Sequence, residues 1–238
     1  MAYKRVLLKL SGEALKENSD AILSADALES MALMVKKIHD NGVQICIVIG
    51  AGNIWRGKIA QDAGMDQFEA DYMGMMGTVI NAVALSAKLK RLGVDNVVTT
   101  AIGPVPEVNV PYSIETADKA MNEGKVVFLS GGTGKPYYST DTAATMRAIE
   151  LNVDAILMGK NGVEGVYDKD PRSNADAKFF PVITYNEMIK LNLQIMDQTA
   201  LELIKDKDIQ VRVFRMDADN FIAAANGENI GTTCRKGE

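Results

Sequence analysis

The feature that most constrains this chain is a regular alternation between two kinds of segment. YKRVLLKL, VQICIVI, VDNVVTTAI, KVVFLS, DAILMG and IQVRVFR are short runs, rich in β-branched residues and bounded by Gly or charge. Such runs are expected of strands buried on both faces. Helical segments lie between them. Over 26–41, Leu28, Met31, Val35 and Ile38 share one face, Asp26 and Glu29 have the spacing of a capping box, and Asn41 with Gly42 supplies a stop. Segments 74–92, 114–122, 140–152, 184–193 and 197–206 also suit helices. Strand and helix alternating this often predicts an α/β chain built on a mainly parallel sheet.

With 238 residues, 47% of them apolar, the chain can bury a core as one large domain or two small ones. We expect one unit with two lobes, divided near residue 150 into about 1–150 and 151–238. A net charge of −5 argues against a general binder of nucleic acid or anionic membrane, since both require a spread of Lys and Arg. Cys46 and Cys234 make neither a disulfide framework nor a zinc pattern, and no run approaches membrane-spanning length, so a cytoplasmic protein is expected. His39 is the sole histidine and falls near the end of an amphipathic helix. A Ser-His-Asp triad would have no other histidine to use.

Ligands of open α/β sheets bind beyond the carboxyl ends of the strands. There the sequence places Lys9-Leu10-Ser11-Gly12, Gly50-Ala51-Gly52-Asn53 with Arg56, Ser130-Gly131-Gly132-Thr133-Gly134-Lys135, and Gly159-Lys160-Asn161-Gly162. One glycine turn at this edge is ordinary chain reversal. Four that also carry Lys9, Arg56, Lys135 and Lys160 suggest a phosphate cradle, because glycine exposes backbone N–H groups to an anion. Neither common fingerprint fits: Trp55 stands where a dinucleotide fold needs its third glycine, and the Gly-Lys-Ser/Thr of a P-loop is absent. Asp141 opens the helix of STDTAATMRA, where a carboxylate complements the helix dipole and can also orient a lysine.

In this order the motifs resemble those of the bacterial UMP kinases of the amino acid kinase superfamily. The resemblance rests on YKRVLLKLSGEAL at 3–15, VIGAGNIWRG at 48–57, DYMGMMGTVINA at 71–82, GTGKPYYSTDTAA at 132–144, GKNGVEGVYDKDP at 159–171 and IMDQTA at 195–200. It implies a three-layer αβα sandwich, the amino acid kinase fold, and transfer of a phosphoryl group from ATP to UMP in pyrimidine nucleotide biosynthesis. Lys9, Leu10, Ser11 and Gly12 would line the ATP phosphates with Gly52 and Arg56 nearby, and Asn161, Tyr167 and Asp170 would hold adenine and ribose. Ala51, Asp71 and the stretch Thr133, Gly134, Lys135, Pro136, Tyr137, Tyr138, Ser139 and Thr140 would contact UMP, Asp71 accepting from the ribose hydroxyls. Lys9, Arg56, Asp141 and Asp197 form the implied catalytic set: Lys9 stabilises the transferring group, Arg56 steers the phosphates and Asp141 orients Lys9. Magnesium would be bound through ATP, with no metal ligands from the chain. A phosphate monoester acceptor is largely dianionic at neutral pH and needs no base, which accords with the want of a second histidine.

The resemblance also implies a homohexamer, with Met73-Gly74-Met75-Met76-Gly77 near a subunit contact, and feedback by UTP. Three departures stand out. Ala51 replaces a usual glycine, Lys135 stands where many relatives have Asn, and KENSDAIL at 16–23 lacks the Gly-rich sequence of relatives that respond to GTP, leaving GTP activation open. The competing readings are a superfamily member that phosphorylates a carboxylate or carbamate, a nicotinamide-dependent oxidoreductase, and a nucleotide sensor without turnover.

Overall fold

The computed structural model describes residues 3–16 and 21–237; part of the 16–23 stretch, 17–20, lies outside the described residues. In chain order the first half runs β1 (Arg5–Leu10), a 3-10 turn (Gly12–Leu15), α1 (Ala25–Asp40), β2 (Gln44–Ile49), α2 (Gly57–Asp62), α3 (Gln67–Arg91), β3 (Asn96–Thr100), β4 (Val110–Pro111), α4 (Ile114–Asn122) and β5 (Val126–Ser130). It continues through α5 (Thr140–Glu150), β6 (Ala155–Lys160), β7 (Val166–Tyr167), β8 (Phe179–Phe180), β9 (Val182–Thr184), α6 (Tyr185–Lys190), α7 (Gln198–Ile204), β10 (Gln210–Arg215), α8 (Ala218–Ala225) and β11 (Thr232–Arg235).

Nine of these strands form one sheet in the order β4-β3-β5-β2-β1-β6-β10-β11-β9. Every neighbouring pair is parallel except β10 with β11. Side chains of successive strand residues alternate between two cores. Leu8, Ile47, Phe128 and Leu157 meet α1, α3 and α8 on one face. Leu7, Cys46, Val127 and Ile156 meet α4, α5, α6 and α7 on the other. The result is the expected three-layer αβα sandwich, and burial on both faces explains the continuous apolar runs. Cys46 and Cys234 are free and buried, and burial pushes both thiols up to about 12.

The chain leaves β1 toward β2 on one side and later returns to place β6 on the other. This makes β1 the point where strand order reverses, and the crevice beyond its carboxyl end is where such sheets bind ligands.

The helix starts need correction. The first is capped by Ser24, whose side chain accepts from the Ala27 N–H, and Glu29 instead pairs with Lys88 at 2.8 Å. α3 begins seven residues before its expected start, at Gln67. Its first turns are apolar on the exposed side too, with Phe68 and Met76 in the open, so they lack a one-sided stripe. The short strands β4, β7, β8, β9 and β11 and the helices α2 and α8 are additions to the expected order. Pro111 is accommodated because β4 is an edge strand. No helix among the described residues is long and apolar enough to cross a membrane.

Candidate active site

Lys9 is the penultimate residue of β1 and shares the pleat face of Leu7, which α5 covers. Its Nζ lies 2.6 Å from Oδ1 of Asp141, in the first turn of α5, with the two side chains 18% and 20% exposed. Lys160, at the end of β6, stands close enough to feel both. Burial, with the neighbouring Lys9 charge, holds its ammonium below the usual lysine range, and Asp141 offsets part of this. Lys160 Nζ donates to the Ile195 carbonyl at 2.9 Å.

The turns after β1 and β2 are locked together. Arg56 donates from Nε to the Gly52 carbonyl at 3.1 Å and pairs through Nη2 with Glu13 on the first turn. Gly12 is required by space: a Cβ there would lie 2.3 Å from the Gly50 carbonyl oxygen and 2.4 Å from Oδ1 of Asn53. Gly12 thus lets the turn after β1 pack onto the turn after β2, so Lys9-Leu10-Ser11-Gly12 and Gly50-Ala51-Gly52 meet at one edge of the sheet.

On one side of β1 a cleft of about 340 Å³ opens between the β2 turn, α3 and the start of α5. Ala51, Asp71, Lys135, Tyr138, Ser139 and Thr140 line it, all from the expected acceptor set. Thr133, Gly134 and Tyr137 shape the turn that carries this wall. Thr133 Oγ1 accepts from the Lys135 N–H at 3.1 Å. Gly134 has φ +80° and its Cβ position is 2.6 Å from the Ala101 carbonyl oxygen, so only glycine fits. Tyr137 has φ 71° and donates its N–H to Asp71 Oδ2 at 2.6 Å, while Pro136 precedes it in the turn.

On the other side a cleft of about 500 Å³ is lined by Lys160, Asn161, Tyr167 and Asp170 among others. Tyr167 stacks edge-on against Phe179, with ring centres 5.3 Å apart. Arg172 folds onto Asp170, holding that carboxyl below its usual value. Asp197 lines neither cleft but stands behind Ser139 of the first: it caps α7 through the Ala200 N–H at 2.9 Å and accepts from the hydroxyls of Ser139 and Thr142. Burial raises its pKa, but these hydrogen bonds outweigh it, Ser139 first, and the net direction is down.

Several contributors have no signal in the sequence. Glu13 is an ordinary acidic residue until Arg56 meets it. Asn53 and Asn81 read as loop and helix polar residues, yet they bond to each other in the core. Thr78 Oγ1 accepts from the Gly131 N–H at 2.8 Å, and buried Arg147 reaches the Gly132 carbonyl at 3.3 Å. Arg147 and Glu150 do have helical i,i+3 spacing, but nothing there indicates the turn they support. Among the described residues no group of three or more His, Cys, Asp or Glu is placed to hold a metal ion.

A mainly parallel αβα sandwich with a lysine–aspartate pair at its switch point, between two clefts, can hold two ligands against one fixed positive charge. The sequence matches the Amino acid kinase family over residues 4–215, and the chain belongs to that family. It is similar to the uridylate kinase of Streptococcus thermophilus, with 48% identity over 97% of this chain and 94% of that one. Two crystal structures are close in shape. The UMP kinase from Bacillus anthracis has a TM-score of 0.96 and 38% identity, covering 100% of this chain and 98% of that one. The UMP kinase from Ureaplasma parvum has a TM-score of 0.92 and 38% identity, covering 99% and 100%.

Proposed function

We propose that this protein transfers the γ-phosphoryl group of ATP to UMP, giving ADP and UDP. The observation that carries this reading is the position of Lys9, held by Asp141 at the strand that separates the two clefts. The likeness to a uridylate kinase over nearly the whole chain selects the acceptor. A carboxylate or carbamate kinase of the same family would share the Lys9 turn but has no use for the wall formed by Asp71 and the 133–140 turn.

In this reading ATP occupies the cleft of Asn161, Tyr167 and Asp170, with its phosphates toward Lys9, Ser11 and Gly12. UMP occupies the cleft of Asp71 and Thr140, with its phosphate toward Ala51, while Gly52, expected on the ATP side, also borders this cleft and Arg56, bonded to it, stands between the donor and acceptor phosphates. The acceptor oxygen is already anionic, so catalysis is alignment plus neutralisation of charge. Lys9 and Lys160 supply positive charge at the transferring group, and Asp141 holds Lys9 in place. Asp197 is a positioning residue that acts through Ser139 and Thr142 on the N-terminus of α5. Asp141 is already paired with Lys9 beside the Lys160 ammonium, so the chain offers no ligand of its own to magnesium; an ion carried in on the ATP oxygens would supply neutralisation of phosphate charge.

The lobes divide in the same way, with about 1–150 carrying the acceptor side and 151–238 the ATP side. The exposed apolar residues of α3, Phe68, Met76 and Ile80, would meet other copies in a homohexamer. Two free cysteines fit a reducing cytoplasm. UTP, as a uridine nucleotide, would compete at the acceptor cleft.

The test is ADP release with magnesium and ATP, comparing UMP, CMP, dUMP and a panel of amino acids. Turnover with UMP above the others is expected. Turnover with an amino acid alone, or none despite ATP binding, overturns the reading.

A further inference from the structure

Asn53 and Asn81 form a cyclic amide pair inside the protein. Asn81 Nδ2 donates to Asn53 Oδ1 at 2.8 Å, and Asn53 Nδ2 donates to Asn81 Oδ1 at 3.0 Å. Their remaining amide hydrogens are also used: Asn81 donates to the Gly50 carbonyl at 2.8 Å, and Asn53 donates to the Ile22 carbonyl at 2.7 Å. Asn81 is 0% exposed and Asn53 9%.

Two neutral amides buried this completely contribute little to stability relative to an apolar pair of the same shape. What they fix is geometry. One residue belongs to the turn after β2, the other to the middle of α3, and Gly12 of the first turn packs directly on them, leaving no room for a side chain. The bond to the Gly50 carbonyl sets the height of the second turn, and the bond to Ile22 ties down the chain that enters α1. Both phosphate turns and the helix carrying Asp71 are therefore referenced to one pair of side chains that touches neither cleft's reacting atoms.

We propose that Asn53 and Asn81 are positioning residues for phosphoryl transfer, holding the Lys9–Gly12 turn and the Gly50–Gly52 turn at the mutual spacing that in-line attack requires. The inference rests on the kinase reading above. A shift of about 1 Å between donor and acceptor turns can cost about 10²-fold in turnover while each cleft still binds its own ligand. The pair should therefore act on kcat and leave the two KM values nearly alone.

The experiment compares the full-length wild type with Asn81→Ala, Asn53→Ala and the double variant, measuring kcat, both KM values and thermal midpoint. UMP binding is read from the emission of Trp55, which lines the acceptor cleft, and ATP binding by titration calorimetry. Each single variant is expected to lose at least about tenfold in kcat with KM changes within about threefold, and the double variant should be no worse than the poorer single one, since the pair acts as a unit. A folded Asn81→Ala with near wild-type kcat overturns the proposal. So does a loss confined to the KM of one substrate, or fully additive losses. Should Asn81→Ala not fold, Asn53→Ala at the edge of the pair decides by the same criterion. Wild-type turnover judges the kinase reading independently: with a different acceptor the same variant ratios are taken on that acceptor, and with no acceptor at all both readings fall.

Discussion

Lys9 Nζ and Asp141 Oδ1 lie 2.6 Å apart, joining the end of the central strand to the first turn of the helix that crosses from β5 to β6. The carboxylate limits the lysine to one direction, toward the crevice between the clefts. Lys9→Ala should lower kcat by about 10²- to 10³-fold, the scale for losing a group that stabilises transition-state charge. UMP affinity, read from Trp55 emission, should change by less than about threefold. Asp141→Asn keeps an acceptor but loses the charge, so its kcat should fall less than that of Lys9→Ala. Equal losses of affinity and turnover in Lys9→Ala would place the lysine in ground-state binding instead.

Lys160 gives a pH signature of opposite sign in activity and stability. Burial and the Lys9 charge hold its pKa below the ordinary 10.5. Between the folded and unfolded values the unfolded chain binds the extra proton, so stability rises with pH across that window. Activity should do the reverse if, as proposed, the charged form neutralises the transferring group. kcat/KM for ATP should decline as pH rises through a value below 10.5, and Lys160→Met should abolish that limb. Thermal midpoints over the same range should rise in the wild type and stay flatter in Lys160→Met. A wild-type alkaline limb that persists in Lys160→Met would exclude this lysine as its source.

How much of this was legible in the sequence depends on the range of each interaction. Strands β1, β2, β3, β5, β6 and β10 of the central sheet were visible because burial on both faces demands continuous β-branched runs, whereas β4, β9 and β11 at its margins were not. Strands such as β7 and β8, with two residues each, carry no period to detect. The site residues within glycine turns were legible because the turn and the charge are adjacent in sequence. Glu13, Asn53 and Asn81 were not, because their chemistry comes from partners dozens of residues away, as between Asn53 and Asn81. Ser24 capped α1 where Asp26 had the better sequence spacing, since a box requires the right backbone entry as well as the right residue types.

Asp197 caps α7 and receives the Ser139 and Thr142 hydroxyls, so its removal should act on stability first. Asp197→Ala is expected to cost about 1–3 kcal/mol, combining a lost cap with orphaned hydroxyls. Its carboxyl is held below 3.8, so its stabilisation is full above that pH and lost as pH falls through the folded value. The difference in thermal midpoint between wild type and Asp197→Ala should shrink toward low pH. Its kcat should fall less than that of Lys9→Ala, and a loss as deep as Lys9→Ala at an unchanged midpoint would make it a catalytic residue in its own right.

Asp71 holds the Tyr137 turn and, in the proposed reading, also meets the ribose of UMP; substitution separates the two. Its Oδ2 accepts from the N–H of Tyr137, a non-glycine residue held at φ 71°. That conformation is costly for a tyrosine and needs support from its neighbours. Asp71→Asn retains an acceptor for the Tyr137 amide and loses the charge available to a ribose hydroxyl. Hydrogen bonds to charged groups contribute about 1.5–3 kcal/mol, so the KM for UMP should rise at least about tenfold while the KM for ATP stays constant. Asp71→Ala removes the support as well, releasing the turn that bears Lys135 and Tyr138, and should raise the KM for UMP further. Initial rates measured while varying each substrate in turn make the distinction: a matched rise in both KM values would mean that Asp71 supports the whole site and does not read the acceptor.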